Sequence, residues 1–150
     1  NYKLKNNTCG AKIDIAARAP LKEIGLDYAH GTGHGVGYFL NVHEGPHAIS
    51  KSNRVSFKEG MIVSNEPGYY EKGKFGIRIE NLIRVKKKTN GYFFDNLTMV
   101  PIDKSLINED ILKQNEIVWL NKYHKDVFVK LNKFMNKVEL IELKKACSVI

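Results

Sequence analysis

One stretch of sixteen residues, Gly31 to Pro46, constrains the fold more than any other part of the chain. It reads GTGHGVGYFLNVHEGP and holds four glycines within seven residues, at positions 31, 33, 35 and 37. Glycine inside a helix or strand costs roughly 0.5–1 kcal/mol relative to alanine. Such a density of glycine is therefore expected only where the backbone turns sharply or passes close to another group.

This glycine pattern differs from the loops that bind nucleotide phosphates. The dinucleotide pattern G-x-G-x-x-G fails because position 36 is Val, and no G-K-[ST] follows that would indicate a P-loop. The chain also lacks a G-x-S-x-G motif, and neither Cys9 nor Cys147 has a histidine close by in sequence. A serine or cysteine nucleophile is therefore not supported.

One histidine and two glutamates in unusual settings suggest a metal site. His34 lies within the glycine-rich stretch, Glu66 ends an apolar run in SNEPGYY, and Glu80 lies in FGIRIEN. Pro67 restricts Glu66 to an extended conformation, which aims its carboxylate from the end of a strand. Each residue alone has an ordinary alternative: a structural histidine, an exposed turn glutamate, or a surface salt bridge. Together, oxygen and imidazole donors from three elements are typical of a site for a hard divalent cation.

Further polar residues lie near these three in the sequence. His30 comes four residues before His34, and His43 comes nine residues after it. Arg78 is expected on the same strand face as Glu80, because alternate residues of a strand point the same way. The two remaining histidines have no such context and are expected at the surface: His47 and His124.

Composition limits the classes of partner. The 150 residues carry a formal net charge of +8, mostly from scattered lysines, whereas arginine, the usual reader of bases and phosphates, is scarce. Nucleic-acid binding is therefore not expected, and no apolar run is long enough for a transmembrane helix. Cys9 and Cys147 are expected to be reduced thiols. The chain lacks an initiator Met, and we expect it to begin inside a larger protein.

Hydrophobic spacing predicts a helix first and strands after it. The helix spans residues 11–24 and ends at Gly25, and Pro20 is expected to kink or divide it. A surface loop is expected over residues 47–60. The predicted strands cover residues 36–43, 61–66, 75–85 and 92–101. Asn90-Gly91 indicates a hairpin between the last two strands.

From residue 108 to the end, the hydrophobic pattern is helical. Five large side chains in this part are expected to be buried: Trp119, Tyr123, Phe128, Leu131 and Phe134. Antiparallel strands followed by helices indicate an α+β fold class.

The ordered motifs of the chain resemble those of one enzyme family. HGTGHGVGYFLNVHEGP, EGMIVSNEPGYYEKGKFGIRIEN, LTMVPID and WLNKYH follow one another as in Xaa-Pro aminopeptidase (aminopeptidase P), a pita-bread metallopeptidase related to prolidase and methionine aminopeptidase. The C-terminal WLNKYH is similar to the eukaryotic cytosolic type. The resemblance implies the C-terminal portion of an α+β pita-bread fold with a curved antiparallel sheet. Residues 1–104 would form the C-terminal half of the catalytic domain, and residues 105–150 a helical extension.

The resemblance also implies a metal-dependent activity, the hydrolysis of the N-terminal Xaa-Pro bond of peptides with proline in second position. A complete active site would hold two Mn²⁺ ions, with Zn²⁺ or Co²⁺ as other options. Three residues of this chain match metal ligands of the family: His34, Glu66 and Glu80. Glu66 would also help to activate the attacking water, and Glu80 would bridge the two metals.

Three further residues match positions around the family's substrate. His43 would hydrogen-bond the substrate and help to stabilise the tetrahedral intermediate. His30 would lie near the pocket for the substrate proline, as another active-site histidine. Arg78 would bond the ligand carboxylates and hold them in place without binding the metal itself. An Xaa-Pro bond has no N–H, so the resemblance implies a pocket that recognises the proline ring by shape.

The chain departs from the family upstream of His34. The family's two aspartate ligands and a further histidine come from that region, whereas this chain offers only Asp14 and Asp27, which do not match the aspartate motif. We therefore expect the isolated segment to be inactive.

The resemblance implies a cytoplasmic homodimer that pairs through the C-terminal helices, without nucleic-acid or membrane partners. Two other functions stay open. One is a non-catalytic pita-bread module that binds protein partners, and the other is a prolidase-like dipeptidase, which acts on dipeptides instead of longer peptides.

Overall fold

The computed structural model describes most of the chain. The described residues are 4–5, 7–39, 41–89 and 91–150. The chain forms two compact units, Asn1–Thr98 and Met99–Ile150. Among the described residues, the first unit holds one helix and seven short strands, and the second holds two α-helices.

The first unit begins with helix α1, Gly10–Lys22, close to the predicted span. Asp14 and Arg18 lie on its buried face, as expected for residues four apart in a helix. Pro20 lies in the last turn and does not divide the helix. Gly25 follows with a φ of +78°, the left-handed conformation in which helices often end. The predicted helix and its stop are confirmed.

Seven short strands follow α1, and all of their pairings are antiparallel. Their bounds are β1 Gly33–His34, β2 Ala48–Ile49, β3 Ile62–Asn65, β4 Gly68–Glu71, β5 Phe75–Arg78, β6 Asn81–Lys88 and β7 Gly91–Asn96. A three-stranded sheet has the order β3-β6-β7, while β1 pairs with β2 and β4 pairs with β5. An isolated bridge between Gly35 and Val63 connects the chain just after β1 to β3.

Apolar side chains from α1, β2, β3 and β6 meet in the core of the first unit. The buried members of this cluster are Leu4, Ile13, Ile49, Phe57, Val63 and Val85. Ile49, Val63 and Val85 are fully inaccessible to solvent. The core therefore anchors β3 on both sides, against β6 in the sheet and against β2.

Two of the predicted strands are wrong. Residues 36–43 do not form a strand, because the Gly37 amide donates to the Asn41 carbonyl and closes a turn there; Leu40 lies outside the described residues. The strand predicted over 75–85 is interrupted at Ile79 and Glu80. The interruption exists because β5 pairs with β4, whereas β6 pairs with β3 in another sheet.

The other strand predictions hold in part. Strand β3 falls within the predicted 61–66, and β7 is shorter than the predicted 92–101. β6 and β7 pair as a hairpin, with Lys88 opposite Gly91, while Asn90 lies outside the described residues. Three strands were not predicted: β1, β2 and β4. β2 lies within residues 47–60, which were expected to form a surface loop, and Ile49 and Phe57 of that segment are buried.

The second unit is helical, as predicted, with α2 at Gln114–Leu131 and α3 at Lys137–Ala146. The buried face of α2 carries Leu120, Tyr123, His124 and Val127. Burial was predicted correctly for Tyr123 but not for two other aromatic residues: Trp119 is 47% exposed and Phe134 is 69% exposed. Trp119 lies at the edge of the buried stripe, about 90° from its middle and next to Tyr123. None of the helices in the described residues has the length and apolarity that a membrane crossing requires.

The expectation that His47 and His124 lie at the surface is wrong. His47 is 7% exposed and His124 is fully buried. The Nε2 atom of His47 donates to the Ile62 carbonyl at 2.7 Å, and the Nε2 atom of His124 accepts from the Ile102 amide at 3.1 Å. In each buried ring, Nε2 therefore forms a hydrogen bond with the main chain in place of one with water.

We predict that His124 makes the second unit sensitive to acid. Burial lowers the pKa of His124, and the nearby Lys104 lowers it further. Below about pH 6.5 an unfolded chain binds a proton at this histidine more readily than the folded one. Stability is therefore lost as the pH falls through that value. Urea unfolding of the full chain at pH 7.5 and 5.5 should show a smaller loss for His124→Phe than for the wild type. Equal losses would contradict the prediction.

Candidate metal centre

The position of His34 depends on how closely β1 approaches β3. A Cβ atom on Gly33 would lie 1.8 Å from the Ser64 carbonyl oxygen, and one on Gly35 would lie 2.0 Å from the Glu44 carbonyl oxygen. Neither distance is possible for a side chain, and both neighbours are main-chain atoms. The expectation that these glycines allow a close approach of the backbone is confirmed at both positions. Gly31 differs, because its nearest contact would be an ordinary 3.6 Å.

Glu66 follows β3 directly and is held at both carboxylate oxygens. The Ser64 hydroxyl donates to Oε1 at 2.9 Å, and the Arg78 guanidinium donates to Oε2 at 3.2 Å. Its amide donates to the Thr32 carbonyl at 2.8 Å. The side chain is buried at 9% exposure. A carboxylate fixed in this way keeps lone pairs for a cation and loses little freedom when it binds one.

The structure brings together the three predicted ligands. One donor atom each from His34, Glu66 and Glu80 lies within 4.8 Å of the other two. They come from three different places: the end of β1, the end of β3, and the segment between β5 and β6. Glu66 is buried, His34 is half-buried and Glu80 is exposed.

The orientation of the His34 ring fits a metal ligand. Its Nδ1 atom lies 3.0 Å from the Gly35 carbonyl and must donate to it. Nε2 is then left with a lone pair and lies 3.5 Å from Oε1 of Glu66. An imidazole whose other nitrogen is tied to a carbonyl, beside two carboxylates, is a common arrangement around a divalent metal. The donor set therefore fits a hard or borderline cation such as Mn²⁺, Zn²⁺ or Co²⁺.

His43 lies next to His34, although the two are nine residues apart. Their ring centroids are 3.9 Å apart with an angle of 39° between the planes. His43 is exposed and is carried by the turn that follows β1, not by a strand as expected. Its ring therefore lies at the open side of the ligand cluster.

His30 and Arg78 are connected through Tyr70. The Arg78 Nε–H donates to the Tyr70 hydroxyl at 2.8 Å, and that hydroxyl lies 2.8 Å from Nε2 of His30. Nδ1 of His30 must donate to the Gly31 carbonyl at 2.6 Å, so Nε2 accepts the Tyr70 proton. The bond to Tyr70, together with the charge of Glu66, raises the pKa of Arg78. Arg78 thus stays charged and bonds Glu66 and Tyr70 together.

Sequence reasoning missed two residues of this site, Ser64 and Tyr70. The Ser64 hydroxyl accepts the His34 amide at 2.9 Å in addition to its bond to Glu66, and its spacing of two from Glu66 in a strand could have indicated this. Tyr70 lies over Gly76, its partner across the β4–β5 pair. The sequence signal for this contact was Gly76, a glycine that leaves space for an aromatic side chain on the paired strand.

The two upstream aspartates do not join the cluster. Asp14 is fully buried and bonds Arg18 at 2.8 Å. Asp27 bonds Arg18 at 2.6 Å and Lys51 at 3.3 Å. Within the part of the chain that the structure describes, the group that could hold a metal ion therefore consists of one histidine and two glutamates.

Comparison with known proteins assigns the chain to a family. The profile of metallopeptidase family M24 matches residues 2–87, and that of the C-terminal region of peptidase M24 matches residues 90–150. The chain belongs to the M24 metallopeptidases. Xaa-Pro aminopeptidase 1 of Dictyostelium discoideum is 49% identical over 144 residues, which is 90% of this chain and 23% of the relative. The chain therefore spans about a quarter of the length of the M24 relatives it matches.

Solved M24 structures confirm the fold. An X-prolyl aminopeptidase from Caenorhabditis elegans, described as a cytosolic enzyme with a dinuclear active site, superimposes with a TM-score of 0.90 at 37% identity. The match covers 99% of this chain and 26% of that protein. A prolidase from Pyrococcus furiosus reaches a TM-score of 0.53 at 35% identity over 61% of this chain and 26% of its own. The predicted α+β pita-bread fold and the resemblance to Xaa-Pro aminopeptidases are confirmed.

We predict that Gly33→Ala disrupts the M24 ligand cluster. The new methyl group meets main-chain atoms of β3, so β1 must move and carry His34 with it. Such overpacking typically costs about 1–3 kcal/mol. Isothermal titration of the full-length protein with Mn²⁺ should show at least about tenfold weaker binding. The matched control is Gly31→Ala, which meets only ordinary contacts and should bind Mn²⁺ as the wild type does. Equal affinities of the two variants would contradict the prediction.

A second variant isolates the hydrogen bonds of Ser64. Ser64→Ala leaves the His34 amide without its acceptor and Oε1 of Glu66 without its donor. Loss of such a supporting bond typically weakens metal binding about 10–100-fold. The same Mn²⁺ titration, made well below the unfolding temperature of each variant, should show this loss. Ser52→Ala, at an exposed loop position, is the control, and a Ser64→Ala affinity equal to that of Ser52→Ala would rule out the supporting role.

Proposed function

We propose that this chain is the C-terminal part of the catalytic domain of a metal-dependent Xaa-Pro aminopeptidase. The observation that carries the proposal is the convergence of His34, Glu66 and Glu80 within 4.8 Å of one another. The likeness to a dinuclear X-prolyl aminopeptidase over 99% of the chain supports it. The substrates are peptides with proline in second position, from which the first residue is released.

The ligand residues hold and orient the centre. His34, Glu66 and Glu80 provide donors from three elements and would hold the cations, with Glu80 as the carboxylate that two ions would share. When bound, two divalent cations supply a water that is nucleophilic at neutral pH and polarise the scissile carbonyl. Glu66, with both oxygens fixed by Ser64 and Arg78, is the group that takes the proton of the attacking water.

The exposed side of the cluster faces the substrate. His43, whose ring centroid lies 3.9 Å from that of His34, donates a hydrogen bond to the scissile carbonyl as charge develops on its oxygen. His30, fixed through Tyr70, borders the pocket for the proline ring. The Xaa-Pro bond is a tertiary amide that offers no N–H, so this pocket selects by shape.

The active site is completed by residues outside this chain. Three ligands are fewer than two cations require, and Asp14 and Asp27 bond Arg18 instead. We therefore infer that the segment alone is inactive and that the missing carboxylates come from the larger protein. Residues 1–104 belong to the catalytic half in this proposal, and residues 105–150 form the helical extension.

Three finer properties belong to the same proposal. The native metal is Mn²⁺, because one imidazole among carboxylates suits that ion. The protein is cytoplasmic, as its Caenorhabditis elegans neighbour is described. It forms a homodimer through the C-terminal helices, where Val138 and Ile141 on α3 are 72% and 66% exposed. Nucleic acids and membranes are not partners in this proposal.

Two other functions are less well supported. A prolidase-like dipeptidase is less well supported, because the Dictyostelium discoideum and Caenorhabditis elegans proteins, which match 90% and 99% of this chain, are both named as X-prolyl aminopeptidases. A non-catalytic binding module has no need of a carboxylate held at both oxygens beside a histidine.

The decisive experiment is hydrolysis of Arg-Pro-Pro with added Mn²⁺ by the full-length protein and by residues 1–150 alone. We expect the full-length protein to release arginine and the segment to release none. Activity on Arg-Pro but not on Arg-Pro-Pro would favour the prolidase. If the full-length protein binds Mn²⁺ but cleaves neither peptide, the result would favour the non-catalytic binding module.

Variants of the full-length protein test the ligand assignment. Removal of a metal ligand should lower kcat/KM by at least about 100-fold, since the centre supplies both the nucleophile and the charge stabilisation. His34→Ala and Glu80→Gln should both show this loss. His47→Gln is a control at a buried histidine outside the cluster. Its kcat/KM, expressed per folded molecule, should stay within about threefold of the wild type.

A further inference from the structure

The side chain of Arg18 is charged and yet almost completely buried, at 2% exposure. A buried charge is costly unless it is paired and hydrogen-bonded. Arg18 satisfies this condition with four hydrogen bonds. Nε donates to Asp14 at 2.8 Å, Nη1 to Asp27 at 2.6 Å and to the Tyr28 carbonyl at 2.7 Å, and Nη2 to the His30 carbonyl at 2.6 Å. The guanidinium therefore ties α1 to the segment 27–30.

The bonds continue through Asp14 and Thr32. The second oxygen of Asp14 accepts the Thr32 hydroxyl at 2.6 Å. The Tyr28 hydroxyl lies 2.5 Å from the Thr32 oxygen and donates to it, because the Thr32 proton is already used. Burial raises the pKa of Tyr28, so this donor keeps its proton. We refer to Asp14, Arg18, Asp27, Tyr28 and Thr32 as the Arg18 clamp.

The clamp acts on the main chain that carries the candidate site. Arg18 donates to the carbonyls of Tyr28 and His30. Because these bonds use only main-chain atoms, the His30 ring can bond Tyr70. The Thr32 carbonyl accepts the Glu66 amide at 2.8 Å, and β1 with His34 begins one residue later. A change in the clamp therefore reaches the proline pocket first and the metal ligands second.

We propose that Arg18 is a positioning residue of the active site, which sets the place of His30 by holding the main chain of residues 28–32. This inference rests on the proposed peptidase function for its catalytic consequence. Arginine is required because its planar fork directs several N–H groups to acceptors that lie in different directions. A lysine ammonium at the same position keeps the charge but cannot reach all four acceptors.

The test compares Arg18→Lys with Lys51→Met in the full-length protein. Lys51 binds the other oxygen of Asp27 at 3.3 Å, so its loss removes a positive charge from the same carboxylate without touching residues 28–32. Activity on Arg-Pro-Pro is expressed per molecule that has bound Mn²⁺. Arg18→Lys should lower kcat/KM at least about tenfold, mainly through KM, because small misplacements around a substrate have effects of this size. Lys51→Met should stay within about twofold.

A pair of variants at Thr32 provides a second test in case Arg18→Lys does not fold. Thr32→Val removes the hydroxyl between Asp14 and Tyr28, whereas Thr32→Ser keeps it. The serine variant should retain the wild-type KM, and the valine variant should show the raised KM. If Arg18→Lys and Thr32→Val both keep the wild-type KM per metal-loaded molecule, the positioning role is overturned and the clamp only stabilises the fold.

Hydrogen exchange followed by mass spectrometry separates this inference from the proposed function. In Arg18→Lys, peptides covering residues 27–34 should exchange faster, while those covering β6 and β7 should not change. Lys51→Met should leave both unchanged. If the wild type cleaves no Xaa-Pro peptide but this local acceleration is seen, the peptidase proposal fails and the holding of residues 28–32 stands. Uniform acceleration, or none, would overturn the inference whether or not the wild type is active.

Discussion

The close approach of β1 to β3 at Gly33 is the constraint on which the candidate site depends. The main chains come so near that a single added methyl group would overlap the Ser64 carbonyl. The same approach brings the His34 amide to the Ser64 hydroxyl, and that hydroxyl in turn donates to Glu66. His34 on β1 and Glu66 directly after β3 are thus tied through one buried serine. Gly33 is therefore needed for the geometry of the candidate metal site, although it offers no ligand atom.

Much of this site could be predicted from the sequence, because its ligands stand out against their surroundings. A histidine among glycines and a glutamate before Pro67 are unusual locally, and both converge in the structure. The supporting residues do not stand out in this way. Ser64 and Tyr70 are ordinary residues of strands, and their roles arise only from pairings between strands that local patterns do not reveal.

The errors in the fold have a similar origin. Residues 36–43 form an apolar run bounded by glycines, which predicts a strand, but the Gly37–Asn41 bond closes a turn. The run from Phe75 to Val85 looks continuous, yet β5 and β6 belong to different sheets. The break between β5 and β6 includes Glu80. The candidate ligand therefore lies outside both sheets, at the position where the strand prediction was wrong. Local periodicity indicates strand propensity, but it does not predict which other strand each half of a strand pairs with.

The three ligands differ in how far this chain orders them before any cation arrives. Glu66 is fixed at both carboxylate oxygens, and His34 is fixed at Nδ1 and at its amide. Among the described residues none donates a hydrogen bond to Glu80, which is exposed and interacts with Arg78 through charge alone. Ordering a free glutamate side chain costs up to about 2 kcal/mol. Glu66 and His34 therefore form the preformed part of the candidate centre, whereas the Glu80 side chain is held by no hydrogen bond from the described residues.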